Sequence, residues 1–372
     1  MPLLTAITAV SGALWRLLGY SSHGDWKRKI VAKEYDTEFV QYFNNILALL
    51  EGRKVTTPRL KIAYDHLAES LKYNLLTTRE MTRGLMVVNT LSQLYGYRTL
   101  SSKEKRLAFT LGWCIEIVEA ANTIADDIVD HRDTRAAKPC WYKQDHVGMI
   151  AVNDSFWFLS SVYVLLNAEF RDHPYYTNLV ELFHLVVEYS EIGGIVSSLI
   201  SDSKTDLSNF TAENLQNITR YKTGYFCFYL PVMATLYLAG IDGKTVNDEV
   251  LSISLAIGEF YQNQIDYNRC YGTLDVASVD IKAKKCTWLI VEAVRRADTK
   301  QRAILEANYG RSDEGCVEKV KEVYESLNLR HLYSEYEDQS YQTISKLIDE
   351  HSHLLPVHVF LEMRDTIYTR KH

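Results

Sequence analysis

A chain of 372 residues that is 47% apolar, 24% charged and 12% aromatic has ample material for a core, which excludes a disordered or fibrous protein. Gly 17 and Pro 6 lie well below the usual shares of roughly 7% and roughly 5%, so long helices are expected and turn-rich β architectures are excluded. The 41 basic and 47 acidic residues give a net charge of -6 with no basic block, which excludes nucleic acid as a partner.

Residues 1–28 read as an N-terminal extension and 29–372 as one domain. Met1 to Gly24 has no acidic residue, one Arg16 and several hydroxyls, which resembles a mitochondrial transit peptide; a frayed terminus fits equally well. Breaks are expected at Lys54–Pro58, Tyr97–Ser102, Arg135–Pro139, Arg171–Tyr176, Ser201–Asn209, Gly240–Val246 and Tyr271–Asp280, which divide the chain into about ten helices. Leu111–Ala125 and Tyr225–Ala239 are apolar on nearly every face and are expected at the centre of a bundle. Within Val186–Ile200, Gly193 and Gly194 are costly for a helix and predict either a break or a close backbone approach. The uncharged run Gly224–Ile241 approaches membrane-spanning length but contains Pro231, so a buried core helix is expected and no transmembrane segment. Six scattered cysteines (Cys114, Cys140, Cys227, Cys270, Cys286, Cys316) show no pairing pattern and suit a reducing, cytoplasmic setting.

Asp126, Asp127 and Asp130 close the uncharged stretch Ala120–Ala125. Carboxylates on a buried helix are costly unless a cation compensates them. Asp126 and Asp130 share a helix face while Asp127 points aside, and hard oxygens on one face suit Mg²⁺, which completes its shell with water and substrate phosphates. A phosphorylated small molecule is the implied ligand. The plainer alternative is a solvated acidic helix end neutralised by Arg132 and Arg135.

Four ordered blocks, ADDIVDHRDTRAAKPCWY (Ala125–Tyr142), YKTGYFCFYLP (Tyr221–Pro231), GEFYQNQIDY (Gly258–Tyr267) and KCTW (Lys285–Trp288), resemble farnesyl diphosphate synthases. The resemblance implies an all-α isoprenoid synthase bundle around a central cavity, a homodimer, two or three Mg²⁺ ions and an allylic diphosphate substrate. It assigns Asp126, Asp127, Asp130 and Asp266 to metal. Arg135, Lys222 and Lys285 become the cations that receive the leaving diphosphate. Thr223 contacts substrate, and Ala121 and Asn122 open space beneath the metals; Gln262, and Arg269 where the family has an acid, are read from the residues themselves as further substrate contacts.

The same resemblance exposes departures. In LTTREMTRG (Leu76–Gly84) Arg83 survives, Glu80 stands at the family's lysine position, and Arg79 is a candidate stand-in. Ala136 replaces the second of two arginines, and Glu119 replaces a glutamine or histidine. An isopentenyl diphosphate placed among these groups meets repulsion. Ile265 and Arg269 occupy the outer positions of the second aspartate-rich motif, where neither ligates Mg²⁺; Gln262 and Asp266 share a neighbouring face that offers a displaced metal site, Arg269 offers a fixed positive charge to the diphosphate, and the plainer alternative is an ordinary Asp266–Arg269 surface pair. Gly194 and Ser197 replace polar positions, and a lysine-bearing loop before Asp280 is shortened.

The expectation is therefore a class I terpene synthase, resembling insect terpene synthases derived from isoprenyl diphosphate synthases, that converts farnesyl diphosphate to a sesquiterpene hydrocarbon or alcohol. The alternatives are a farnesyl or geranylgeranyl diphosphate synthase, rescued by Arg79, Arg83, Arg370 and Lys371, and a noncatalytic partner subunit.

Overall fold

Long, largely apolar runs dictate the most enclosed helices of the protein. The computed structural model describes residues 35–52, 57–76, 81–202, 206–271, 279–351 and 357–369. They form α1 (Phe43–Glu51), α2 (Pro58–Leu76), α3 (Thr82–Leu94), α4 (Ser102–Val129), α5 (Ala151–Phe170), α6 (Tyr176–Ser201), α7 (Ala212–Ile218), α8 (Leu230–Leu238), α9 (Lys244–Tyr271), α10 (Val279–Lys282), α11 (Trp288–Arg296), α12 (Thr299–Asn308), α13 (Glu314–Ser326), α14 (Leu329–Glu350) and α15 (Val357–Thr369). Among the described residues the strands are two short pieces, β1 (Thr134–Arg135) and β2 (Lys138–Pro139), paired as a hairpin. The fold is all-α, as composition required. Helix ends fall at or beside each expected break, but the chain also ends helices where none was expected, between α2 and α3 and at each junction from α11 to α15, so the described residues hold more than the ten or so helices foreseen.

Contacts divide the described residues into two compact units, those up to 127 with 133–176, and 128–132 with those from 177 on. In the first, every residue of α4 from Leu107 to Val118 is buried. Trp113 is stacked on Phe39 with 4.8 Å between ring centroids, and its indole N–H donates to the Phe39 carbonyl at 3.0 Å. The charged exception in this apolar length is Glu116, which accepts the Gly84 backbone N–H at 2.7 Å and so meets the requirement that a buried carboxylate be hydrogen-bonded.

In the second unit α9 packs along Thr219–Tyr229, an 11-residue π-helical segment between α7 and α8. Pro231 follows it closely. Proline has no N–H to continue an α register and its ring crowds the carbonyl four residues back, which accounts for a wider register ahead of it. A Cβ on Gly258 would lie 2.4 Å from the Gly224 Cα, so the two backbones touch where no side chain fits. Helix α6 runs unbroken through Gly193 and Gly194, which selects the close-approach reading: a Cβ on Gly193 would lie 2.6 Å from the Lys222 backbone nitrogen. Gly194, one residue on, has open space instead.

Among the described residues two segments, α4 and Gly148–Phe170, are long and apolar enough to cross a membrane by length and composition. Of their apolar windows, 89% of the first and 44% of the second is buried inside the protein. Gly224–Ile241 divides between the π segment and α8, whose residues from Leu230 to Tyr237 are all buried.

Candidate active site

In the first unit the end of α4 carries Asp126, half-buried, and Asp127, buried. Asp127 Oδ1 accepts from Arg135 Nη2 at 2.6 Å and from Nε at 3.0 Å. Burial opposes the Arg135 charge, yet the hydrogen bonds and charge of Asp127 outweigh it and hold the guanidinium above its usual pKa. The sequence placed Asp127 with the metal ligands and Arg135 with the diphosphate cations; the structure joins them in one ion pair. Arg135 sits on β1, and the two loop residues that follow, Ala136 and Ala137, have φ of 48° and 59°. That is the geometry of a type I′ hairpin, adopted here without the glycine or asparagine that usually relieves it. Deeper in α4, Ala121 is buried and its carbonyl accepts from Ser155 Oγ at 3.1 Å, while Asn122 is half-buried. Arg83, at the start of α3, pairs with Glu119 at 3.4 Å.

In the second unit Asp130, one residue past α4, accepts from Lys285 Nζ at 3.0 Å and faces Arg132 at 3.8 Å. Arg132 and Arg135 thus each meet an aspartate, although Asp127 is buried and not solvated as the plainer reading of the acidic cluster had it. On the π segment, Lys222 and Thr223 stand where α6 and α9 come closest to its backbone. Thr223 Oγ1 donates to Gln262 Oε1 at 2.7 Å, and Gln262 Nε2 donates to Asp266 Oδ1 at 2.8 Å. Arg269 was expected to pair with Asp266 if it lay on an ordinary surface; it pairs instead with Asp280, Nη1 to Oδ1 at 3.6 Å. Asp266 is buried, and burial first, then the neighbouring Asp280 charge, push its carboxyl up to about 7. Burial likewise raises Asp280.

Asp280 entered the sequence reading only as the end of a loop. It anchors Arg269, and no local pattern announced it, because the partnership joins α9 to α10 across a loop. Arg79, Glu80, Arg370, Lys371, residues 1–28 and the loop 272–278 lie outside the described residues. For a metal, the carboxylates of Asp126 and Asp130 offer hard oxygen donors that suit Mg²⁺, whereas Asp127 is committed to Arg135. Among the described residues no three His, Cys, Asp or Glu side chains converge as a complete cage. Either carboxylate alone leaves most of an Mg²⁺ shell to water and phosphate oxygens, which is the habit of that ion.

The polyprenyl synthetase family model matches residues 64–327. The chain is 38% identical over 346 residues to a farnesyl pyrophosphate synthase of Gallus gallus, covering 92% of this chain and 94% of that one. It is 37% identical over 353 residues to the Bos taurus farnesyl pyrophosphate synthase, covering 94% and 99%. With the Dictyostelium discoideum farnesyl diphosphate synthase it shares 35% identity over 354 residues, 91% of each chain. Matched over most of its length by the family model and almost end to end by these relatives, the chain belongs to the polyprenyl synthetase family.

Proposed function

We propose that the chain is an Mg²⁺-dependent enzyme that ionises an allylic diphosphate, farnesyl diphosphate, and resolves the cation within one substrate molecule to a sesquiterpene hydrocarbon or alcohol. The observation that carries this reading is the Arg83–Glu119 pair. Arg83 is the described cation that corresponds to the family's isopentenyl-binding element, and here an acid of α4 already faces it. A second diphosphate brought to Arg83 meets the Glu119 charge as well, so attraction and repulsion offset each other.

For the allylic substrate, Lys222, Lys285 and Arg135 are the cations that bind the diphosphate, and their aspartate partners hold two of them in place. In the step itself the C1–O bond breaks heterolytically, the electron pair stays on the departing oxygen, and fixed cations stabilise that charge as it grows. A bound Mg²⁺ supplies further Lewis-acid stabilisation of the same oxygens. The carbocation then cyclises and either loses a proton, for which the released diphosphate serves as base, or captures water.

A second reading, chain elongation with isopentenyl diphosphate, is favoured by the relatives: those named above are farnesyl pyrophosphate or diphosphate synthases matched almost end to end. Whole-chain similarity favours elongation; the local pairing of Arg83 favours the uncoupled reaction. Purified protein with Mg²⁺ and farnesyl or geranyl diphosphate, with and without isopentenyl diphosphate, separates them. Volatile products without the five-carbon partner uphold the proposal, elongated diphosphates that require it replace the proposal with the second reading, and unconsumed substrate makes the chain a noncatalytic subunit. We further infer a homodimer, on the ground that α5 leaves Phe156, and the turn before it leaves Met149 and Ile150, with more than half of their surface exposed.

A further inference from the structure

The second aspartate-rich stretch does not fit a divalent ion. Ile265 has no donor atom and Arg269 carries a positive charge, so the two outer positions are closed to Mg²⁺. Asp266 Oδ1 is taken by the Gln262 amide nitrogen while the Gln262 oxygen accepts from Thr223, so the end of Gln262 turned to Asp266 is its NH₂, which offers a cation no lone pair. The space beside Asp266 is a cavity of about 10 Å³ lined by Arg269, Asp280, Thr287, Tyr309 and Tyr324. That volume is about the least that holds one water molecule.

The same stretch does supply a cation. Arg269 lies in the last turn of α9, where the helix dipole favours positive charge, and its side chain is 40% exposed while that of Asp280 is 15% exposed. The acid is the sheltered anchor and the guanidinium is the accessible end. A guanidinium offers paired N–H donors that match two phosphate oxygens. We propose that Arg269, held by Asp280 at the end of α9, stands in for one divalent ion of the diphosphate site, so that a diphosphate binds this chain with two ions rather than three. Both retained ions are then held without the second aspartate-rich stretch, and the inference rests on the allylic-diphosphate reading given above.

The test is a count of bound Mn²⁺ by electron paramagnetic resonance on the full chain at saturating inorganic pyrophosphate, together with the affinity for pyrophosphate. The wild type is expected to hold two ions per chain. Arg269→Gln should bind pyrophosphate about 10- to 100-fold more weakly at fixed Mn²⁺, and Arg269→Lys should recover part of that loss. Three ions in the wild type, or a folded Arg269→Gln that binds pyrophosphate as tightly as the parent, would overturn the inference alone. A wild type that binds no pyrophosphate would overturn the proposed function and this inference with it. The wild-type count needs no variant, so it decides the matter even if Arg269→Gln does not fold.

Discussion

The Asp127 carboxylate is 4% exposed and receives two nitrogens of Arg135, so its removal leaves a half-buried guanidinium without its acid. Asp127→Asn should cost about 1–3 kcal/mol of stability, at the lower end because solvent still reaches Arg135. Urea unfolding of both proteins measures it, and an unchanged midpoint would show that the pair contributes nothing. Asp266 offers a second test at the same scale. Its carboxyl, raised to about 7 by burial and then by Asp280, keeps a proton that the unfolded chain releases near the ordinary value of about 4. Between those two values the native state holds the extra proton, so rising pH favours unfolding through this window and the contribution levels off above it. In the metal-free protein Asp266→Asn should remove a slope of at most about 1.4 kcal/mol per pH unit. Parallel stability profiles for the two proteins from pH 4 to 7 would refute it. The acids and bases of the site were legible in the sequence because charges on apolar helices stand out. Their pairing was not: Arg269 reaches Asp280 rather than Asp266, a partner 11 positions away, and helical spacing speaks only for neighbours three or four apart.

Among the elements, α6 sets two adjacent glycines in opposite surroundings. A methyl group on Gly193 would press the backbone of the π segment at Lys222, which has no flexible side chain there to yield. Gly193→Ala should therefore cost about 1–3 kcal/mol and displace Lys222, with turnover falling alongside stability. Gly194 has nothing within 4 Å of an added Cβ, and Gly194→Ala should raise stability by about 0.5–1 kcal/mol through helix propensity alone. Thermal melts of the two variants should move in opposite directions; movement in the same direction would mean that α6 does not approach Lys222 as described. The paired glycines signalled a special position, but a break and a contact leave the same mark on a sequence, since both need a missing side chain. The π register was harder still. Tyr221, Tyr225 and Tyr229 recur every four residues, a spacing that α and π turns share, and only Pro231 hinted that the α pattern could not run on.

For the molecule as a whole, the helical class followed from scarce glycine and proline, and the buried helices followed from apolar runs such as Leu107–Val118. What covers the outside of the chain is decided by unsatisfied surface rather than by pattern. The apolar window in Gly148–Phe170 is only 44% buried, against 89% for the one in α4, so one uncharged face meets water. On it Met149 is 63%, Ile150 53% and Phe156 64% exposed. Burying such side chains contributes roughly 1.5–3 kcal/mol each, and a second copy of the chain brings the same apolar groups to the same contact, as a two-fold interface requires. The protein should therefore sediment as a dimer at micromolar concentration, and Phe156→Glu should shift it toward monomer by setting like charges against each other across the axis. Because Phe156 points to solvent within one chain, the variant should keep the melting temperature of the monomer fold. A wild type that sediments as a monomer, or a Phe156→Glu variant that dimerises as tightly as its parent, would place the contact elsewhere or remove it.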